Sequence, residues 1–274
     1  MYNQKEHFAF DQIGNIAIAE IREEEQLQAK QMASEILTTQ KNITSVYAKG
    51  SAMAGKYRVR KLRFLAGKKT TLATYRESNC IFELDVAKVY FSPRLAFERT
   101  RIANEVKNGE RILALFAGVG PFPIVIAKKL KIERKKAEII ANELNPIAVK
   151  YLKQNITANK VGELVVADKG DAAKLLTKKK KWATRTIMPL PHTAESFLPQ
   201  VIDATAVGGI VHFYGFGPHR NELTKKAANP FKKLEAKIKA LCKKKKRKCK
   251  IVFKRVVRPY SPFTVQVVID FKVW

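Results

Sequence analysis

Leu115-Phe116-Ala117-Gly118-Val119-Gly120-Pro121-Phe122-Pro123-Ile124-Val125-Ile126-Ala127-Lys128-Lys129 is the stretch that decides how the chain is read. Ahead of it, residues 111–116 are a short apolar run led in by Asn108-Gly109-Glu110, the pattern of a turn feeding a buried strand. Behind the glycines, Pro121 and Pro123 open an apolar run that turns basic, as the first turns of a helix packed on a sheet do. Strand, glycine turn and helix are the opening unit of a doubly wound α/β domain. Glycines in such a turn let the backbone approach a ligand closely, and the helix N-terminus favours polar or anionic groups. A Gly-x-Gly pair fits a simple tight connection equally well, so the turn alone names no ligand.

Outward from this unit the strand and helix patterns alternate. Upstream, residues 82–86 and 89–91 read as short strands leading into Ser92-Pro93-Arg94. Residues 95–106 then have helical spacing, with Ser92 suited to cap the helix and Pro93 to its first position. Downstream, 137–142 is a second buried strand ending at Glu143, and Asn145-Pro146 introduces a helix over about 147–157. Residues 164–168 form a third strand with Gly170-Asp171 at its end. A fourth, 186–188, ends at Pro189-Leu190-Pro191, and 209–214 is a fifth. The β-rich segments 250–257 and 264–273, separated by Pro259-Tyr260-Ser261-Pro262, complete a seven-stranded mixed sheet as terminal antiparallel strands. The first 85 residues have another texture. Residues 10–21 read as a turn and an alternating strand, 23–37 as an amphipathic helix, and 45–49, 61–65 and 70–75 as short basic strands. The fold class is therefore α/β: a small α+β domain over 1–85, then a Rossmann-like domain over 86–274.

Charge narrows the partner. Lys and Arg number 53 against 24 Asp and Glu, a net +29, which calls for a polyanion, either nucleic acid or an anionic membrane surface. No apolar run approaches the roughly 20 residues that span a bilayer, and Met1-Tyr2-Asn3-Gln4-Lys5-Glu6-His7 lacks the apolar core of a signal peptide. A cytoplasmic protein acting on nucleic acid, with no membrane association, is expected. Cys80, Cys242 and Cys249 lack zinc-site spacing and read as reduced thiols, and with 4 scattered His no metal site is expected. The basic runs 178–181 and 243–248 are either phosphate contacts or solvated faces. Phe213 and Tyr214 read as core, Phe216 as a candidate to stack on a displaced base, and Tyr260-Ser261-Pro262 as a simple turn or a loop near that base.

Ligands of open parallel sheets bind beyond the carboxyl ends of the strands. Three successive strand ends here carry Gly118 and Gly120, then Glu143, then Asp171. That order suits a nucleoside: glycines against the chain attached to the ribose, Glu143 accepting from ribose hydroxyls, and Asp171 accepting from an adenine amino group. Two carboxylates with no phosphate-gripping lysine near the glycines favour a cationic or neutral adenosine derivative over a triphosphate. S-adenosylmethionine fits. Taken singly, each carboxylate reads more readily as a helix cap or a solvated strand end; their joint placement favours the cofactor site.

Several motifs carry a resemblance. Phe10-Asp11-Gln12-Ile13-Gly14, Asp85-Val86-Ala87-Lys88-Val89-Tyr90-Phe91-Ser92-Pro93-Arg94, Phe116-Ala117-Gly118-Val119-Gly120-Pro121-Phe122 and Glu143-Leu144-Asn145-Pro146 resemble the archaeal and eukaryotic tRNA (guanine-N1)-methyltransferases that act next to the anticodon. The resemblance runs from about residue 8 to the end. It implies a class I methyltransferase fold, S-adenosylmethionine as cofactor, the anticodon region of tRNA as partner, and methyl transfer to N1 of the guanine at position 37 by a monomer. It also implies cofactor contacts from Ser92, Arg94, Phe116, Leu144 and Pro189 besides the strand-end residues. N1 methylation needs a base for the N1 proton and a donor for the charge developing on O6. By resemblance the base is Glu98 and the donor Arg58, with Arg60 and Arg63 as nearby rivals. On the residues alone Glu98 fits a surface ion pair with Arg94 or Arg101.

Three departures bear on detail. Ala114 stands where many members have an acidic residue, Pro189-Leu190-Pro191 replaces Asn-Leu-Pro, and recognition of the distal tRNA body is expected to proceed without the extra amino-terminal domain of many archaeal members. Two alternatives follow: aminocarboxypropyl transfer to a wybutosine precursor, as in related enzymes, or a tRNA-binding protein without catalysis.

Overall fold

A computed structural model of the chain describes residues 9–21, 25–51, 55–190, 193–220 and 226–274. The amino-terminal part is a four-stranded sheet, ordered β1-β2-β3-β4, built from β1 (Phe10–Ile13), β2 (Ile16–Ala19), β3 (Ser45–Lys49) and β4 (Leu62–Gly67), with helix α1 (Ala29–Thr39) between β2 and β3. Residues 10–21 are thus a hairpin of two strands rather than a turn and one alternating strand. Gly14 makes its tight turn at φ 58°, where a Cβ would lie 1.9 Å from the Thr74 carbonyl oxygen. All of β2 is buried because Ala17 packs toward α1 while Ile16 and Ile18 pack toward the rest of the molecule. Helix α1 starts six residues later than the expected residue 23. Its buried positions are Ala29, Met32, Ala33 and Ile36, the stripe that the sheet can cover, and Leu27 ahead of it lies in solvent.

A second hairpin, β5 (Leu72–Glu77) and β6 (Cys80–Asp85), bridges to the larger part. Its backbone is held by side-chain amides: Ile81 N–H donates to Asn159 Oδ1 at 2.9 Å and Glu83 N–H to Asn155 Oδ1 at 2.9 Å. Both asparagines lie at or near the C-terminal end of a later helix.

After Pro93–Leu95, a single 3-10 turn, come α2 (Ala96–Glu105), β7 (Glu110–Leu115), α3 (Pro121–Ile132), β8 (Ala137–Glu143), α4 (Pro146–Ala158), β9 (Val165–Lys169) and α5 (Ala172–Lys178). The chain continues through β10 (Ala183–Met188), α6 (Ala194–Ala204), β11 (Thr205–Pro218), α7 (Lys232–Lys244), β12 (Cys249–Ser261) and β13 (Thr264–Val273). The seven-stranded sheet has the order β12-β13-β11-β10-β7-β8-β9. Five strands are parallel, and β13 and β12 are antiparallel to their neighbours, which is the mixed sheet expected from sequence. Strand order reverses between β7 and β10, so the glycine turn after β7 lies at the topological switch point.

Helices α2, α3 and α4 supply the core on one face, and α5, α6 and α7 the core on the other. With both faces covered, Ile112, Leu113, Ala114 and Leu115 of β7 are all buried. Three expectations need correction. Residues 89–91 are not a strand; they run as a loop whose Val89 and Phe91 pack beneath the amino-terminal sheet. Ser92 precedes the 3-10 turn in extended conformation, but its hydroxyl makes no cap bond. Pro259, Tyr260 and Ser261 belong to β12, which reaches the turn at residues 262–263; as an edge strand it tolerates proline.

Candidate active site

The turn after β7 is shaped by backbone conformations that most side chains avoid. Phe116 lies at φ 54°, Gly118 at 57° and Gly120 at 94°. A phenylalanine there is strained, and strain of this kind collects at functional sites. Its ring packs edge-on against Phe197, centroids 5.1 Å apart. A Cβ on Gly118 would meet one atom, the Tyr90 carbonyl oxygen at 3.6 Å, so space is open beside the backbone. A Cβ on Gly120 would lie 2.5 Å from Leu152 Cδ1, so this glycine is required for packing of α3 on α4.

Glu143, at the end of β8, ties the turn together. Its Oε2 accepts from Gly118 N–H at 2.8 Å and its Oε1 from Asn145 N–H at 2.7 Å. Asn145 caps α4 through the Ile147 N–H and donates to the Lys88 carbonyl at 3.1 Å, which brings the segment before Ser92 to the same place. Asp171 caps α5, Oδ1 accepting from Ala173 N–H at 2.8 Å, and its exposed side chain retains a second oxygen. Leu144 is exposed and Pro189 half-buried at the end of β10. A buried residue that sequence reasoning passed over, Asn142, donates to Asp168 Oδ2 at 2.6 Å and to the Gly170 carbonyl at 3.2 Å, joining the ends of β8 and β9. Its signal was a polar side chain closing an apolar run. Open backbone at Gly118, an acceptor carboxylate beside it and a second at Asp171 fit an adenosine with a cationic substituent.

The neighbouring motif residues have separate partners. Arg94 Nε donates to Asp11 Oδ1 at 2.7 Å, fastening the 3-10 turn to β1, and does not pair with Glu98. The Ser92 carbonyl accepts from Arg99, which is buried and paired with Glu77. Arg58 has φ 53° and lies with its guanidinium 5.6 Å from the Tyr90 ring centre. Burial lowers its pKa, opposed by Tyr90 and Tyr260 and reinforced by Arg258. These are groups from the loop before Ser92 and from β12. Of its rivals, Arg63 donates to Gln26 Oε1 at 2.5 Å, and Arg60 is among the cations that lower the Glu20 carboxyl, after Lys49. Phe216 and Tyr260 pair at 4.3 Å, and Arg258 Nε donates to the buried Gln266 at 2.8 Å, so the late β-hairpin walls this side.

Glu98, in the first turn of α2, is only 1% exposed. Instead of the surface pair that spacing suggests, it is part of a buried array. Oε2 accepts from Arg101 Nε at 3.0 Å, Arg101 NH2 at 2.9 Å and the Tyr214 hydroxyl at 2.9 Å. Oε1 accepts from Arg255 NH1 at 3.3 Å. Arg101 also reaches Asp270 at 2.6 Å and Glu105 at 2.7 Å. His212 Nδ1 lies 2.8 Å from Asp270, its Nε2 lies 2.7 Å from Arg185, and Arg185 binds Glu110 at 2.7 Å. The array therefore runs along α2 from one end of the sheet to the other. Burial alone would raise the Asp270 carboxyl, but His212 and Arg101 hold it below the usual range. Burial, with Glu98 adding to it, pushes the Tyr214 phenol well up. Tyr214 and Phe213 are fully buried, as expected for core residues. Sequence signals existed for the array: His212 and Asp270 are charged or polar residues inside otherwise apolar strands.

In the basic runs, Lys178, Lys180, Lys181, Lys243, Lys244, Lys246 and Lys248 are exposed. Two members serve the fold: Lys245 pairs with Asp203 at 2.5 Å, and Arg247 donates to the Ile202, Thr205 and Trp274 carbonyls. Burial raises the Cys80 thiol to about 11 and, with Cys249 adding, the Cys242 thiol to about 12. No helix among the described residues is long and apolar enough to cross a membrane.

Against known proteins, residues 73–252 match the TRM5/TYW2 methyltransferase domain and residues 4–70 the TYW2 N-terminal domain. The chain belongs to the TRM5/TYW2 methyltransferase family. The tRNA (guanine(37)-N(1))-methyltransferase Trm5b of Pyrococcus abyssi is 42% identical over 265 residues, 97% of this chain and 74% of that protein, and its crystal structure superposes with a TM-score of 0.84. A Methanocaldococcus jannaschii Trm5 structure in complex with adenosine is 30% identical, TM-score 0.78, covering 97% of this chain and 74% of that one. A complex of aTrm5 and tRNALeu is 31% identical, TM-score 0.81, covering 97% of this chain and 72% of that one.

Proposed function

We propose that this protein transfers the methyl group of S-adenosylmethionine to N1 of the guanine at position 37 of tRNA, beside the anticodon. The observation that carries the reading is the strand-end site of a TRM5/TYW2 family member, with Gly118 tied to Glu143 at the topological switch point. Relatives similar over nearly the whole chain bear that activity in their names, and family structures hold adenosine or tRNA.

When bound, S-adenosylmethionine supplies an electrophilic methyl group on a sulfonium. Gly118 and Gly120 keep the backbone close to its chain, Glu143 accepts from the ribose hydroxyls, and Asp171 accepts from the adenine amino group. Ser92, Arg94, Phe116, Leu144 and Pro189 complete the surroundings. Glu98 takes the N1 proton of guanine, and Arg58 donates to O6 as negative charge gathers there. A domain over residues 1–85 brings Arg58, and one over 86–274 brings the rest. The separation of the four-stranded from the seven-stranded sheet supports that division. The net charge of +29 favours the polyanionic substrate.

The amino-terminal match to a TYW2 domain keeps a second reading, aminocarboxypropyl transfer, in view. The coproduct distinguishes them. Methyl transfer leaves S-adenosylhomocysteine, aminocarboxypropyl transfer leaves 5′-methylthioadenosine, and cofactor binding without either indicates a binding protein. Glu98→Gln tests the base: single-turnover rates should fall by about 10²–10⁴-fold near neutral pH and recover as pH rises and the N1 proton leaves unaided. Rates equal to those of the unaltered protein across pH 6–9 would remove Glu98 from that role.

A further inference from the structure

The two oxygens of Glu98 are held very differently. Oε2 accepts from Arg101 and Tyr214 at 2.9–3.0 Å. Tyr214 is fully buried, and Arg101 is anchored a second time by Asp270 at 2.6 Å. Neither donor can leave without breaking the array. Among the described residues, Oε1 has one donor, Arg255, at 3.3 Å, the longest bond of the set. Arg255 comes from the edge strand β12, its side chain is 36% exposed, and its guanidinium lies 4.0 Å from the ring centre of Phe97, itself exposed. With Glu98 at 1% exposure, no substrate proton can reach it while Arg255 stays in place.

Resting on the assignment of Glu98 as base, we propose that Arg255 is a phosphate-responsive gate over Glu98: a backbone phosphate of the bound RNA draws the guanidinium off Oε1 and uncovers that oxygen for the N1 proton. The exchange is chemically even, because a guanidinium binds phosphate in the same bidentate manner as carboxylate. It is directional, because Arg101 and Tyr214 keep Oε2 fixed while Oε1 is released. Arg255 also shares edge strand β12 with Lys250 and Arg258, which flank it along the strand and favour a phosphodiester chain passing over it, whereas Lys254 turns to the opposite face and pairs with Glu235 of α7 at 2.7 Å. Free enzyme thus keeps its base covered, and RNA bound in register uncovers it.

The test uses anticodon stem-loops in which one linkage at a time around the target guanine is a neutral methylphosphonate, with single-turnover methylation measured at saturating RNA and cofactor. In the unaltered protein, one neutral linkage should slow the chemical step by about ten- to a hundredfold, the equivalent of one hydrogen bond to a charged group. In Arg255→Ala the same linkage should have no effect, because the gate is gone. Arg255→Lys, which retains charge without the fork, should respond weakly, and serves as the second variant should the alanine protein unfold. Equal sensitivity of the unaltered protein and Arg255→Ala to every linkage would overturn the gate, as would insensitivity of both. Failure of the base assignment is read separately, by Glu98→Gln retaining full single-turnover rate on the unmodified stem-loop.

Discussion

Replacing Glu143 by Gln isolates what the carboxylate does at the glycine turn. In the native site each oxygen accepts one backbone N–H, from Gly118 at 2.8 Å and from Asn145 at 2.7 Å. A glutamine offers one oxygen and one NH2, so one of the two backbone donors must face another donor. One hydrogen bond to a charged acceptor is lost, worth about 1.5–3 kcal/mol, and the survivor becomes neutral and weaker. Because Glu143 is half-buried and water can reach part of it, the lower end applies, about 2 kcal/mol. Urea unfolding without cofactor should show this as a lower midpoint with an unchanged slope. Calorimetric titration with S-adenosylmethionine should show affinity reduced by about tenfold or more, since the ribose acceptor and the turn that carries Gly118 are both disturbed. Lost stability with unchanged affinity would keep Glu143 as the tie between Gly118 and Asn145 and remove it from the cofactor. No change in either would refute the reasoning altogether.

Gly120→Ala should cost more stability than Gly118→Ala: both incur about 1–2 kcal/mol of left-handed strain, but only at 120 does the new methyl meet Leu152 and Ile124 carbons at 2.5 and 2.7 Å, adding about 1–3 kcal/mol of crowding. Equal thermal shifts for the two would contradict the packing argument. Tyr214 has a raised folded-state pKa, so its contribution is intact below about pH 10 and is lost as pH rises through the folded value. Asp270 is depressed, so its contribution is present above about pH 4 and is lost as pH falls through the folded value. Tyr214→Phe should accordingly flatten the alkaline limb of a stability–pH curve, and Asp270→Asn the acidic limb. For tRNA, about six phosphate contacts give a log–log salt slope of roughly −4 to −5, and changing Lys243, Lys244 and Lys246 to Gln while sparing Lys245, which pairs with Asp203, should flatten it by about 2 if that run touches RNA.

Much of the fold was legible because local pattern and tertiary demand agree. The runs 112–116 and 139–141 are apolar at every position, as strand segments buried on both faces must be, and the glycine turn declares itself by composition. Where the two diverge, the sequence misleads. Ile16-Ala17-Ile18-Ala19 reads as alternating, yet all four positions are buried because the strand has α1 on one side and, on the other, the β5–β6 hairpin with the loop that follows it. The placing of Gly118, Glu143 and Asp171 at successive strand ends follows from order along the chain. That Glu143 spends an oxygen on each of two backbone donors does not, since it depends on where a loop and a helix start come to lie. Glu98 shows the limit most clearly: i,i+3 spacing finds Arg101, but Tyr214 and Arg255, 116 and 157 residues away, reach it only through the sheet, as Asp270 reaches Arg101.

The identity of the modified atom separates the competing functions most directly. Unmodified tRNA transcript with guanine at position 37 should be incubated with the protein and labelled S-adenosylmethionine, digested, and analysed by nucleoside mass spectrometry, beside a transcript with adenine at that position. N1 methyl transfer should yield 1-methylguanosine at position 37, S-adenosylhomocysteine as coproduct, and no labelled nucleoside from the adenine transcript. Methylation at another base or atom, an aminocarboxypropyl adduct with 5′-methylthioadenosine, or equal labelling of both transcripts would contradict it.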